Sequence, residues 1–138
     1  MNIKKLQGYQ VLDSRGRPTV AVTLTLSDGS LHTARVPSGA STGAHEAHEL
    51  RDAGTTKAES YYAGKSVYTA VENINSKIAP KLLGHSLNLA AIDGLLVEVD
   101  PTPGHQVIGA NATLATSLAV AKAAAHASGK SLARYFQP

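Results

Sequence analysis

Eight residues, Val36-Pro37-Ser38-Gly39-Ala40-Ser41-Thr42-Gly43, hold a proline, two glycines, two serines and a threonine, and no acid or base. Pro37 removes a backbone donor, and Gly39 and Gly43 open positive φ. The hydroxyls compete with the backbone for hydrogen bonds. The composition opposes both helix and sheet, so a polar loop is expected. Chemistry from Ser41, Thr42 and loop amides alone is binding: hydroxyls can ligate a hard cation such as Mg²⁺, and amides can face a phosphate. A plain turn needs about four residues, so the length leaves two readings open, connector and functional lid.

Other constellations carry less. His45-Glu46-Ala47-His48-Glu49 places its histidines three apart, whereas a zinc-protease helix needs them four apart on one face. Gly64-Lys65-Ser66 ends like a nucleotide-binding P-loop, but Glu59 stands where that motif needs its first glycine, and a carboxylate would face the phosphates. Glu46 and Glu49 could pair as carboxylates. His32, His85, His105 and His126 are isolated along the chain and are expected at the surface or satisfied. No cysteine occurs, which excludes disulfides, thiolate nucleophiles and cysteine-ligated zinc.

A loop of this kind needs a rigid frame, and the sequence supplies one. With 138 residues, 43% hydrophobic and 17% charged, the chain fits one soluble globular domain with a real core. Aromatics make up 4%, so Val, Leu, Ile and Ala must build that core and favour close helix packing. The +3 formal charge is spread over single basic residues, not a patch, so nucleic acid is not an expected partner. No apolar run approaches a membrane span and no leader opens the chain, so a cytoplasmic location is expected.

A first strand is expected over residues 3–12. Then comes a turn at Asp13-Ser14-Arg15-Gly16-Arg17-Pro18, where Asp13 can bond the backbone ahead. In the next strand Val20, Val22, Leu24 and Leu26 share one face, and Thr19, Ala21, Thr23 and Thr25 the other. Asp28-Gly29 signals a hairpin into a third strand over residues 31–36. Residues 44–50 read as irregular and 52–59 as surface loop. From Gly64, Val67, Val71, Ile74 and Ile78 recur at helical spacing, with Pro80 kinking or ending the helix near Ala79. A shorter helix over 89–98 has Asn88 as its cap and Asp100-Pro101 as its stop. The last long helix, over 110–128, is expected to be capped by Asn111 and to turn Leu114, Ser117, Leu118, Ala121 and Ala125 inward, with one more turn at 131–136. The fold class is therefore α+β, a three-stranded antiparallel meander followed by a helical layer.

Several motifs carry a resemblance. Asp13-Ser14-Arg15-Gly16-x-Pro18-Thr19-Val20 is followed by residues 36–43, then Glu46-Ala47-x-Glu49-Leu50-Arg51-Asp52 and Gly64-Lys65. Ile78-Ala79-Pro80, Gly109-Ala110-Asn111-Ala112 and Ser117-Leu118-Ala119 complete the series. In their order and spacing these resemble the enolase (phosphopyruvate hydratase) family, over its N-terminal domain only. The resemblance implies a three-stranded meander followed by helices, with residues 1–138 as that domain and a C-terminal (β/α)₈ barrel outside this chain. It implies an enzyme that interconverts 2-phosphoglycerate and phosphoenolpyruvate in glycolysis with two Mg²⁺ ions. The Lys base, Glu acid and main carboxylate ligands would lie on that barrel, so no catalytic residue is expected here.

In the family a lid loop closes over substrate, and its serine ligates the second Mg²⁺ through hydroxyl and carbonyl oxygens. That serine matches Ser41, and Ala40, Thr42, Gly43 and His45 belong to the same lid. The implied partners are the substrate, the barrel and a second copy of the chain. The chain departs from the family pattern at Arg17, at Thr113-Leu114-Ala115-Thr116, and where Pro101 to Ile108 replace a Lys-rich segment. It also lacks the Arg near Tyr9 and the Glu near Ala21 that bridge dimers in many members. A free-standing binding or interaction module is the alternative.

Overall fold

Alternating side chains make β2 (Pro18–Leu26) the axis of the structure, flanked by β1 (Ile3–Leu12) and β3 (Leu31–Arg35) in the order β1-β2-β3. Both pairings are antiparallel, with Tyr9 opposite Ala21 and Ala21 opposite Arg35. The computed structural model describes residues 1–38, 43–54 and 62–137. Val20, Val22, Leu24 and Leu26 are all fully buried, each worth about 1.5–3 kcal/mol over an exposed position. The opposite face carries a hydroxyl ladder: Tyr9 Oη lies 2.8 Å from Thr23 Oγ1, which lies 2.8 Å from Thr33 Oγ1. The β1–β2 turn forms as expected, with Asp13 Oδ1 accepting from the amides of Arg15 (2.8 Å) and Arg17 (2.9 Å). The Asp28-Gly29 hairpin also forms, with Gly29 at φ 87° and the Leu26 amide donating to the Ser30 carbonyl.

Helices cover the inner face. A short 3₁₀ turn (Tyr62–Gly64) precedes α1 (Tyr68–Asn73), which runs through a π-helical turn (Ile74–Ile78) into α2 (Ala79–Leu82). Pro80 therefore modifies the helix without ending it. Proline cannot donate an amide hydrogen bond, and the preceding turn widens so that the Ala79 amide reaches back to the Ile74 carbonyl. Val67, Ile74 and Ile78 are fully buried, as their spacing predicts. This layer sits close on β1: a Cβ added to Gly8 would meet Ile74 Cγ2 at 2.8 Å.

α3 (Leu89–Val99) starts on Asn88, whose Oδ1 accepts from the Ala91 amide at 3.1 Å. α4 (Ala110–Ala127) packs on β2 and β3 and against α3, and α5 (Leu132–Phe136) adds the last turn. For α4 one expectation fails and another holds only in part. Its cap is Gly109 at φ 95°, not Asn111. Ala121 and Ala125 are buried as expected, together with Ala112, Ala115, Thr116, Ala119, Val120 and Ala123, while Leu114 is 46% exposed and Ser117 and Leu118 are half-buried. The helix approaches the sheet so closely that only small residues fit between, and leucine is displaced to the flank. The α+β reading holds. Among the described residues no helix is long and apolar enough to cross a membrane.

Candidate functional site

The stretch at 36–43 leaves β3 under tight control. The Val36 amide donates to the Val20 carbonyl at 3.0 Å, and Thr19 Oγ1 donates to the Val36 carbonyl at 2.6 Å. Two arginines then take hold of Ser38: Arg15 Nη2 donates to its carbonyl (2.7 Å) and Arg51 Nη2 to its hydroxyl (3.0 Å). On the far side the Gly43 amide donates to Glu46 Oε2 at 2.9 Å. Gly43 and His45 are exposed there. Ala40, Ser41 and Thr42 lie outside the described residues, so the arrangement on either side of them is what can be described.

Arg51 is the centre of this base. Besides Ser38 it donates to the carbonyls of Pro18 (3.1 Å) and Lys65, and pairs with Glu49 Oε1 at 2.8 Å. One planar guanidinium thus joins the start of β2, the segment before α1 and the base of the 36–43 stretch. Its rigid fork suits such a multi-point contact. Arg15 and Arg51 both belong to the motifs that carry the family resemblance, which assign neither a role. Their signal was an arginine on each side of a Gly/Ser-rich loop, although nothing in linear spacing says that both reach Ser38.

Residues 43–54 form no helix or strand, yet the backbone of His48, Leu50 and Asp52 is bonded to distant segments. The His48 amide donates to Gly104 O (2.8 Å), and the Ala110 amide to His48 O (2.7 Å). Asn111 exchanges two bonds with Leu50, its Oδ1 accepting from the amide (3.2 Å) and its Nδ2 donating to the carbonyl (3.0 Å). That long-range pairing is why Asn111 does not cap α4. Asp52, expected in a surface loop, is fully buried. It accepts from Ser66 Oγ (2.8 Å) and from the Tyr68 (2.8 Å) and Thr69 (2.9 Å) amides, so it caps α1 from sixteen residues away. Burial pulls its carboxyl upward, but the bonds from Thr69, Ser66 and Tyr68 outweigh that and hold it below the usual range. Ser66, at the end of the P-loop-like tripeptide, is buried in this cap.

A cavity of about 440 Å³ opens beside the base, walled by Val36, Pro37, Leu96 and Leu114, with Glu46 and Glu49 at its polar edge. Asp93 Oδ1 and His105 Nδ1 also line it, buried and without a hydrogen-bond partner among the described residues. His105 was expected to be surface or satisfied and is neither. It is half-buried and sits at φ 54°, in the left-handed region that histidine enters more readily than most residues other than glycine. His32 and His126, expected to be isolated, meet with ring centres 4.9 Å apart.

Among the described residues no group of three or more His, Asp or Glu side chains could hold a metal. The described donors therefore do not make a Mg²⁺ site by themselves, since that ion demands a near-octahedral set of oxygens. The arrangement can hold a loop by its two ends and present it.

The family model for the N-terminal domain of enolase matches residues 3–136. Over 134 residues the chain is 55% identical to an enolase from Mycoplasma pneumoniae (strain ATCC 29342 / M129 / Subtype 1), covering 96% of this chain and 28% of that protein. Over 124 residues it is 49% identical to an enolase from Mesomycoplasma hyorhinis (strain HUB-1), covering 89% of this chain and 28% of that protein. The chain thus spans little more than a quarter of the length of these relatives.

Proposed function

The chain belongs to the enolase family, as an enolase N-terminal domain, and from that premise we propose that it is the lid-bearing part of a phosphopyruvate hydratase. The observation that carries the reading is the two-arginine grip on Ser38 opposite the Glu46 hold on Gly43. These bonds fix Ser38 on one side of the Gly/Ser-rich stretch and Gly43 on the other. In this reading Ser41 supplies one hydroxyl and one carbonyl oxygen to a Mg²⁺ ion, and Ala40, Thr42, Gly43 and His45 close with it. The remaining oxygens, the acid and the base come from a (β/α)₈ barrel as partner. When bound, the metal supplies charge neutralisation for a substrate carrying phosphate and carboxylate, 2-phosphoglycerate or phosphoenolpyruvate. The work of this chain is to orient the loop and exclude water. A cytoplasmic glycolytic role follows from the same premise.

The pure 138-residue chain is expected to give no turnover of 2-phosphoglycerate, with or without Mg²⁺, in a direct absorbance assay for phosphoenolpyruvate. Turnover by the chain alone would refute the proposal. In an enzyme that joins this chain to a barrel, Ser41→Ala should lower kcat by about 100-fold or more, on the scale of losing one charge-stabilising group. An unchanged kcat would remove Ser41 from the reading.

A further inference from the structure

We propose that His32 and His126 form a two-imidazole seat for a divalent transition ion of the zinc, nickel and copper class, bridging β3 and α4. The first support is spacing. The ring centres stand 4.9 Å apart with the planes inclined at 49°, so the rings are tilted and not stacked. With metal–nitrogen bonds of about 2.0–2.1 Å, two imidazoles on one tetrahedral or cis-octahedral ion hold their centres roughly 4.5–5.3 Å apart. The observed spacing falls inside that interval.

The second support is a hydrogen-bond relay behind His32. Ser30 Oγ donates to Asp28 Oδ1 at 2.7 Å, which commits the hydroxyl proton to the carboxylate. The same oxygen lies 3.2 Å from His32 Nε2 and can only accept there, so Nε2 carries the ring proton and Nδ1 the lone pair. A metal-binding histidine is ordinarily oriented in this way, with its other nitrogen donating toward a carboxylate or hydroxyl. The relay itself is set by the Asp28-Gly29 hairpin, where the Ser30 amide also donates to Asp28 Oδ1 at 2.9 Å.

The rigidity and electrostatics of the surroundings favour the same reading. His32 is half-buried on a paired strand and His126 is exposed in the last turn of α4. The two elements are tied by Lys122 Nζ, which donates to the Thr33 carbonyl at 3.0 Å. The charged groups facing the pair are Asp28, which favours a cation, and Lys122, which opposes one. Among the described residues no third histidine or carboxylate stands in ligating position, so water completes the coordination and the seat is open. Imidazole nitrogens select this class of ion over the oxygen-seeking Mg²⁺ and Ca²⁺.

The test is calorimetric titration of the full chain with zinc chloride near neutral pH, alongside thermal unfolding. One ion per chain is expected, with a raised unfolding midpoint. His32→Ala and His126→Ala should each abolish both effects. Ser30→Ala, which leaves both ligands in place, should weaken binding by about tenfold or more through the lost orientation. His45→Ala/His48→Ala, which removes the two histidines that stand three apart in the sequence, should bind as the parent does. His126 is exposed, so its variant stays folded, and the unfolding scan checks the rest. Zinc binding that persists undiminished in the His126→Ala chain, that vanishes in the His45→Ala/His48→Ala chain, or that does not saturate at all overturns the proposal.

Discussion

At the scale of single residues, the structure depends on side chains that satisfy distant backbone. Arg51 serves three carbonyl or hydroxyl oxygens and a carboxylate at once. Removing it leaves several of these unpaired, so Arg51→Ala should cost at least about 2 kcal/mol, read as a fall in the urea midpoint. Arg51→Lys should recover less than half of that loss, because an ammonium cannot reproduce the fork. Asp100 acts similarly on residues 101–108, the segment most unlike the family pattern. It accepts from the Val107 (3.0 Å) and Ile108 (2.7 Å) amides, and from the amide and hydroxyl of Thr102. Burial pulls the Asp100 carboxyl up, yet the bonds from Ile108, Thr102 and Val107 prevail and hold it low. The folded value lies below the unfolded one. The stabilisation is therefore complete above about pH 4 and is lost as pH falls through the folded value. Asp100→Asn should destabilise the chain at pH 7 and differ progressively less from the parent as denaturation is followed below pH 4; a gap that stays constant would contradict this. The role of Arg51 could not be read from the chain, because it joins residues whose separation no local pattern records.

At the scale of elements, the sequence was most readable where one short-range period decides the outcome. β2 forms as its alternation requires, and so do the two turns with local Asp side chains, since their partners lie within four residues. The leucines of α4 misled, while Ala121 and Ala125 did not, because hydrophobicity ranks leucine above alanine, whereas close contact with β2 and β3 ranks them by volume. Leu114→Ala should accordingly lie within about 0.5 kcal/mol of the parent as an exposed-site change. Ala119→Leu, at a fully buried position, should cost about 1–3 kcal/mol by overpacking. Chemical denaturation of the two variants side by side checks the assignment, and the reverse order would restore the leucine stripe. Gly8 makes the same argument for β1. Its absent Cβ would lie 2.8 Å from Ile74 Cγ2 and 2.9 Å from Ile74 Cβ. Gly8→Ala should therefore cost about 1–3 kcal/mol, and shortening Ile74 should not restore it, because the second contact survives the truncation.

At the scale of the whole molecule, fold class and family were both legible, the first from strands preceding helices and the second from motifs in fixed order. The geometry that serves the 36–43 stretch was less so. Its two ends are held from Arg15 in the β1–β2 turn, Arg51 in the irregular segment and Glu46 just beyond. Only folding brings those three together. The cavity beside it holds Asp93 Oδ1 and His105 Nδ1 without a hydrogen-bond partner among the described residues, a feature that no linear pattern announces. The guanidinium of Arg51 has a practical corollary for anyone wishing to transplant this loop. Because it is fastened simultaneously to Pro18 and Lys65, cutting out a continuous peptide would sever its moorings. The portable unit is a mosaic of three separate stretches, and a scaffold lacking any one of them would receive the letters of the loop without its posture.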